Sequence, residues 1–221
     1  MRGLLLTLEG IEGSGKSTQA AALAQELNAA GVPVVATREP GGVSLGEKIR
    51  EILLSPDSGA IHPTAELLLF IAARAQHVAE KIRPALESGQ IVICDRFTDA
   101  TLAYQGGGRS VPEDLLRRLN EVATGGIRPD RTYLLDVDPE TGFDRAGRRV
   151  GGVGPDRIER ESAAFFQAVR KRYLELAASE PERILLLRGT DPIRDLTRQI
   201  VEDAFSLVRS RAHIQSRATP P

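Results

Sequence analysis

Directly behind the apolar run Leu4–Leu8 stand Gly10, Ile11, Glu12, Gly13, Ser14, Gly15, Lys16, Ser17 and Thr18. Glycines, a lysine and hydroxyls at that spacing fit G-x-x-x-x-G-K-[ST], the pattern of a P-loop. Glycines let the backbone close around a phosphate, and the loop amides point inward beside the positive end of the following helix. In that geometry Lys16 reaches the β- and γ-phosphates and Ser17 holds Mg²⁺. A glycine-rich turn that merely joins strand to helix is the plainer alternative. Such a match arises by chance, but rarely between a strand and a capped helix. The expected ligand is a nucleoside triphosphate, and the open question is where its phosphoryl group goes.

The elements needed to position such a loop lie on both sides of it. Residues 4–9 have a buried-strand pattern, and residues 16–30 carry Ala20, Leu23, Leu27 and Ala30 on one helical face. Further strand-like runs occur at 32–37, 91–95, 132–137 and 183–187, separated by helical periodicity. Leu67, Ile71, Ala75, Val78 and Ile82 mark a helix over 64–83; Ile158, Phe165, Val169, Tyr173 and Leu176 mark another over 158–177. Asp138-Pro139 and Asp191-Pro192 each place a capping aspartate before a first-turn proline. Continuously apolar strands alternating with helices predict an α/β fold, with a parallel sheet covered on both faces.

In a parallel sheet the strand C-termini gather beside the P-loop. The third strand ends in Asp95-Arg96. A carboxylate there can organise the Mg²⁺ shell, and a guanidinium can grip an oxyanion through its fork. An ordinary ion pair at a strand end is the alternative. Arg38 ends the second strand within Arg-Glu-Pro-Gly-Gly. Phe70 and Arg74, one helical turn apart, could stack a ring on a base and donate to a base carbonyl. Spacing alone, however, favours a core phenylalanine beside a solvated arginine. Tyr104 and Gln105 offer a phenol and an amide ahead of three glycines. Residues 145–155 are basic and glycine-rich without a hydrophobic face, which predicts a mobile loop whose arginines packing does not explain.

Composition narrows the partners. The chain carries 29 basic and 30 acidic residues, so no global positive field points to nucleic acid. Its single cysteine, Cys94, excludes an internal disulfide, suggests a reducing compartment, and sits among apolar neighbours as a core thiol. No apolar run approaches the roughly 20 residues that span a bilayer, and no secretion signal precedes the P-loop. A soluble, cytoplasmic protein is expected, with no membrane partner. The polar segment 210–221 is expected to be a poorly ordered tail.

The chain has neither the guanine-reading Asn-Lys-x-Asp nor the Leu-Ser-Gly-Gly-Gln of transporter ATPases. What it has is Glu9–Ser17, Arg38–Gly42, Leu69–Arg74, Asp95-Arg96 with Ala103–Gly108, and Asp156–Glu159. Through these motifs, from Leu4 to about residue 208, it resembles the thymidylate kinases of the bacterial type. The resemblance implies a P-loop nucleoside monophosphate kinase-like fold: a five-stranded parallel sheet flanked by helices, with a small lid at about 145–157. One domain would cover 1–209, with the tail at 210–221. The implied activity is transfer of phosphate from ATP to dTMP, with Mg²⁺, by a homodimer in dTTP biosynthesis.

The same resemblance assigns roles residue by residue. It reverses the plainer view of Phe70 and Arg74, which match the thymine-stacking ring and the thymine-contacting arginine. Arg38 and Arg96 match positions that hold the dTMP phosphate, and Tyr104 the tyrosine against C2′ of the sugar. Glu12 matches the acid facing the 3′-hydroxyl and the metal region; Gln105 and Thr101 match polar contacts on the base side. Ser17 and Asp95 fall at the metal. Gly13 stands where some members carry an arginine, so the working cation is expected from the lid's Arg145, Arg148 and Arg149. Arg149 is the first choice and Arg148 the second, beside Lys16 and Arg96. Two departures are Ala100, where serine is frequent, and Gly147, where arginine is common. The rivals are a deoxynucleoside kinase using Glu12 as a base, and a nucleotide switch without turnover.

Overall fold

A computed structural model describes residues 2–147 and 154–218, with side chains as far as Arg211. Five strands form one sheet: β1 (Leu5–Glu9), β2 (Val34–Arg38), β3 (Ile91–Asp95), β4 (Arg131–Asp136) and β5 (Ile184–Arg188). Their order is β2-β3-β1-β4-β5 and every pairing is parallel. All five expected strands are present, shifted at their ends by at most two residues. The register sets Arg38 and Leu8 on either side of Asp95, so the ends of β2 and β3 flank the loop that leaves β1.

The flanking helices are α1 (Lys16–Ala29), α2 (Ser44–Leu54), α3 (Pro63–His77), α4 (Arg83–Glu87), α5 (Thr98–Thr101), α6 (Glu113–Thr124), α7 (Pro139–Gly147), α8 (Ala163–Ser179) and α9 (Ile193–Ala218). Side chains alternate across a strand. Leu4, Leu6 and Leu8 therefore pack on Leu23 and Leu27 of α1 and on Leu196, Ile200 and Ala204 of α9. Leu5 faces the other way, onto Ile82, Leu86, Val92, Cys94 and Phe97. Thr7 and Glu9 share that second face, fully buried although polar. Burial pushes the Cys94 thiol well above its ordinary pKa, consistent with a core thiol.

Several helix boundaries differ from the sequence expectation, each for a local reason. The run expected as one helix over 64–83 is α3, then wider five-residue turns over Val78–Ile82, then α4. Val78 and Ile82 stay buried through that change of pitch, but Ala75 is exposed, as is Ala30 just past α1. The helix expected from 158 begins at Ala163, where the Ser162 hydroxyl caps it by accepting from the Phe165 N–H at 3.2 Å. Asp138 caps α7 as expected, accepting from the Thr141 N–H at 2.9 Å. α9 starts at Ile193, one residue later than Asp191-Pro192 predicts, and the Asp191 carboxylate lies 3.7 Å from Arg188. α9 also runs past Ser210 to Ala218, into the segment expected as a tail, because arginine, alanine and glutamine there are good helix formers. Among the described residues no helix is long and apolar enough to cross a membrane.

Around the site the core is aromatic. Phe166 has no exposed surface and meets Phe143, Phe165 and Tyr104 edge-on, with centroids 4.9, 5.3 and 6.5 Å away. Phe166→Ala should lower unfolding stability by about 3–5 kcal/mol, read by chemical denaturation. A loss below about 1 kcal/mol would contradict this packing.

Candidate active site

A cavity of about 710 Å³ opens at the C-terminal edge of the sheet, within the usual range for a small-molecule site. It is lined by Glu12, Gly13, Ser14, Gly15, Lys16, Ser17 and Thr18 from the loop and α1. Arg38, Phe70, Arg74, Asp95, Arg96, Thr101, Tyr104 and Gln105 complete the set expected from sequence. Two expected residues stay out of it. The Ile11 side chain belongs to the core, and Gly10 lies so close to Leu135 that an added Cβ would come within 2.5 Å of its carbonyl oxygen. Both act through their own carbonyls instead. Gly15, at φ +97°, leads into α1 with no side chain capping the first turn, so those amides remain available to a ligand.

The phosphate half of the cavity is crowded with cations already held by the protein. The buried Lys16 Nζ donates to the Ile11 carbonyl at 2.7 Å and the Ser14 hydroxyl at 3.3 Å. Burial, with Arg96 beside it, pulls its pKa down to about 8. Arg96 donates to the Glu12 carboxylate at 2.7 Å and the Gly10 carbonyl at 3.0 Å, and its guanidinium lies 4.8 Å from the centre of the Tyr104 ring. Arg38 Nη2 donates to both carboxylate oxygens of Glu47 of α2, at 2.9 and 3.0 Å. The Ser17 hydroxyl donates to Asp95 at 2.5 Å. That hydroxyl–carboxylate pair is a set of hard oxygen donors of the kind Mg²⁺ prefers.

The base half differs most from the sequence reading. Arg74 is almost completely buried rather than solvated. Its Nε and Nη2 meet Glu39 at 2.7 Å each; Nη1 donates to Thr101 at 2.7 Å and Asn120 at 2.6 Å; Nη2 also donates to the Phe97 carbonyl at 2.9 Å. Four hydrogen bonds and an ion pair to Glu39 therefore hold the guanidinium inside the protein. Phe70 is half-buried at the cavity wall. The Tyr104 hydroxyl donates to both Glu12 oxygens, at 2.8 and 2.7 Å. The Gln105 amide donates to the buried Glu66 at 3.2 Å.

The expected lid is described only at its roots. Arg148 and Arg149 lie outside the described residues. Arg145, at the end of α7, lines the cavity and donates to the Gly189 carbonyl at 2.8 Å. On the far side Arg157 is fastened to the Leu53 carbonyl at 2.7 Å and to Glu66 at 2.5 Å, while Asp156 caps the turn that follows. Gly13, at φ +71°, is pressed against α7: an added Cβ would fall 2.0 Å from the Gly142 carbonyl oxygen. Packing alone thus excludes a side chain at position 13.

Sequence reasoning missed Glu39, Asn120, Arg50, Tyr173 and the site role of Glu9. Glu39 stands inside the quoted Arg-Glu-Pro-Gly-Gly run, and its β2-end position was the available signal. Asn120 had none. Arg50 of α2 lines the cavity and donates to the Pro40 carbonyl at 3.0 Å. Glu9 accepts from the Phe97 N–H and the Tyr173 hydroxyl, both at 2.7 Å, with no exposed surface. Burial and the charge of Asp99 push its carboxyl up to about 7, against the pull of Arg96, Tyr173 and the Phe97 N–H.

A phosphate loop behind the central strand, with arginines on the next strand ends, defines a P-loop nucleoside monophosphate kinase fold. Residues 8–200 match the family model for thymidylate kinase, and the chain belongs to that family. It is 48% identical over 202 residues to the thymidylate kinase of Pelobacter propionicus, covering 90% of this chain and 92% of that one. The thymidylate kinase of Pseudomonas savastanoi is 52% identical over 196 residues, covering 89% and 92%. A crystal structure of thymidylate kinase from Ehrlichia chaffeensis superposes with a TM-score of 0.76 at 32% identity, covering 92% of this chain and all of that one.

The Glu9 site makes a pH-dependent difference in stability. Asp99, Arg96, Tyr173, Cys94 and Lys16 are the titratable groups that act on it or feel its charge. Between its ordinary value of 4.5 and about 7, the unfolded chain has lost the Glu9 proton while the folded chain keeps it. Folding takes up a proton in that window, so this contribution is lost as pH rises through it. Glu9→Gln removes the titration. Its melting temperature relative to wild type should rise by roughly 5 °C between pH 5 and pH 8. A difference that stays flat with pH would contradict the burial of an ionisable carboxyl here.

Proposed function

We propose that this protein transfers the γ-phosphoryl group of ATP to dTMP, giving ADP and dTDP. The observation that carries the reading is one cavity lined both by a phosphate loop and by Arg38, Arg96, Phe70 and Arg74. A hydrolase or switch needs the loop; the second set suits an acceptor nucleotide. In the reaction the bond from γ-phosphorus to the ADP oxygen breaks, and a dTMP phosphate oxygen forms the new bond. The acceptor is already an oxyanion, so no strong base is required. The transition state is loose and charge-rich, and positioning and neutralisation dominate. Lys16 would hold the β- and γ-phosphates, with Arg38 and Arg96 on the acceptor phosphate. Ser17 and Asp95 would hold Mg²⁺, which when bound offsets phosphate charge.

Glu12 argues against the deoxynucleoside kinase rival. It already accepts two contacts from Tyr104 and one from Arg96, which leaves it poorly placed to take a proton from a sugar hydroxyl. On the base side, Phe70 would stack on thymine. Arg74 would donate to a base carbonyl by trading its bond to Thr101, whose hydroxyl can rotate. Arg149, or Arg148, would add the cation that Gly13 cannot supply.

A homodimer fits exposed apolar residues on neighbouring helices: Leu45 and Ile52 of α2, Leu68 of α3, Leu115 and Val122 of α6. Exposed apolar area of this kind marks association surfaces. A cytoplasmic setting suits a lone buried thiol.

A coupled assay of ADP release tests the reading. ADP should form with dTMP present, and kcat/KM for dCMP should be at least about tenfold lower, since the cytosine amino group is itself a donor and would set N–H against N–H at Arg74. Equal efficiency with dCMP would overturn the base assignment, and turnover of thymidine in place of dTMP would favour the rival. Lys16→Ala should cost at least about a hundredfold in turnover with an unchanged melting curve. Replacing Arg148 and Arg149 together with alanine should lower kcat and kcat/KM alike. A kcat within about threefold of wild type, under about 1 kcal/mol of barrier, would remove the lid arginines from the mechanism.

A further inference from the structure

Arg96 occupies an unusual backbone position. It is one of two described non-glycine residues with positive φ, at +70°, a conformation that costs about 1–3 kcal/mol and persists only where its surroundings enforce it. Three contacts enforce it. The Arg96 N–H continues the sheet by donating to the Leu8 carbonyl at 3.0 Å. The Arg96 carbonyl accepts the Cys94 thiol at 3.0 Å. The next N–H, that of Phe97, donates to Glu9 Oε1 at 2.7 Å. The other Glu9 oxygen, Oε2, accepts the Tyr173 hydroxyl at 2.7 Å, and that hydroxyl lies 3.4 Å from Arg96 Nη1. One carboxylate from β1 therefore grips the Arg96 turn from behind and, through Tyr173, steadies the guanidinium in front.

The mechanism above makes no use of Glu9. A carboxyl group without exposed surface, hydrogen-bonded to one amide and one phenol rather than directly paired with a cation, is a cost to folding. An apolar residue at the end of β1 would pack there without that cost. What it could not do is accept the Phe97 N–H.

We propose that Glu9 is a positioning residue for Arg96, fixing the strained backbone and the guanidinium that meets the phosphates. This rests on the proposed role of Arg96, so both residues are varied together. Glu9→Leu removes both acceptors, and kcat should fall at least tenfold with KM for ATP within about twofold of wild type. Glu9→Gln restores an acceptor for Phe97, and should return kcat to within about threefold. Tyr173→Phe, which keeps the ring, should cost about fivefold. On an Arg96→Ala background none of these changes should lower kcat further, because the group they position is gone.

A folded Glu9→Leu enzyme with kcat within twofold of wild type would overturn the proposal. So would a Glu9→Leu loss that persists in full on the Arg96→Ala background, since Glu9 would then act apart from Arg96. If Glu9→Leu does not fold, Tyr173→Phe at the wild-type rate overturns it. Arg96→Ala within threefold of wild type would overturn the Arg96 assignment and this inference together. A large Arg96→Ala loss beside a silent Glu9→Leu would overturn this inference alone.

Discussion

Like charges crowd one small space, and the rest of the structure is arranged around that fact. Lys16, Arg38, Arg50 and Arg96 all border the cavity. Two unit charges 4 Å apart at an effective dielectric near 20 interact by about 4 kcal/mol, so a cavity ready for two anionic substrates repels itself without them. Its own acceptors resolve the conflict. Arg38 lies on Glu47, Arg96 on Glu12, Arg50 on the Pro40 carbonyl and Lys16 on the Ile11 carbonyl. Lys16 still bears the strain, its pKa lowered to about 8 by burial and by Arg96. Phosphate binding at these groups would then be largely an exchange of one acceptor for another, with the cations oriented beforehand and each new contact adding less.

The features visible in sequence are those encoded locally. The P-loop, the five apolar strands and the cap at Asp138 each occupy a short window in which spacing alone carries the signal. Strand-end rules then bring Asp95, Arg96 and Arg38 beside the loop, as the register confirms. Arg74 shows where that reasoning stops. Its acceptors on Phe97, Thr101, Glu39 and Asn120 stand between 23 and 46 residues away in sequence. Nothing within one helical turn distinguishes such an arginine from a solvated one. The break in pitch after α3 is hidden for a related reason, since the apolar spacing still buries Val78 and Ile82 while the backbone changes underneath.

The polar face of β1 was equally hidden. Leu5, Thr7 and Glu9 point to one side of the sheet, and only the first is apolar. Beneath the site Thr7 meets Thr132 at 2.8 Å, Thr132 donates to Asp99 at 3.0 Å, and Arg183 forks onto Asp99 at 2.7 and 2.9 Å. No buried side-chain polar atom among the described residues is left without a partner. Such a network adds little net stability over an apolar core. Its value lies in direction: hydrogen bonds fix where a backbone turn points, and hydrophobic contacts do not.

The same economy links the P-loop to the root of the segment expected as a lid. Gly13 and Gly142 meet backbone to backbone, each so close that a Cβ on either would strike the other's segment, at 2.0 and 2.6 Å. That contact brings α7 against the phosphate loop and denies position 13 any side chain. α7 then continues for one turn to Arg145, whose guanidinium reaches the Gly189 carbonyl behind β5. Three and four residues further along the sequence stand Arg148 and Arg149. The helix that forbids a cation from the loop is therefore the helix whose chain leads to the arginines that could replace it. With the far root pinned by Arg157 to α2 and to Glu66, the segment between has two fixed ends. Both of its roots, at Arg145 and at Asp156, line the cavity.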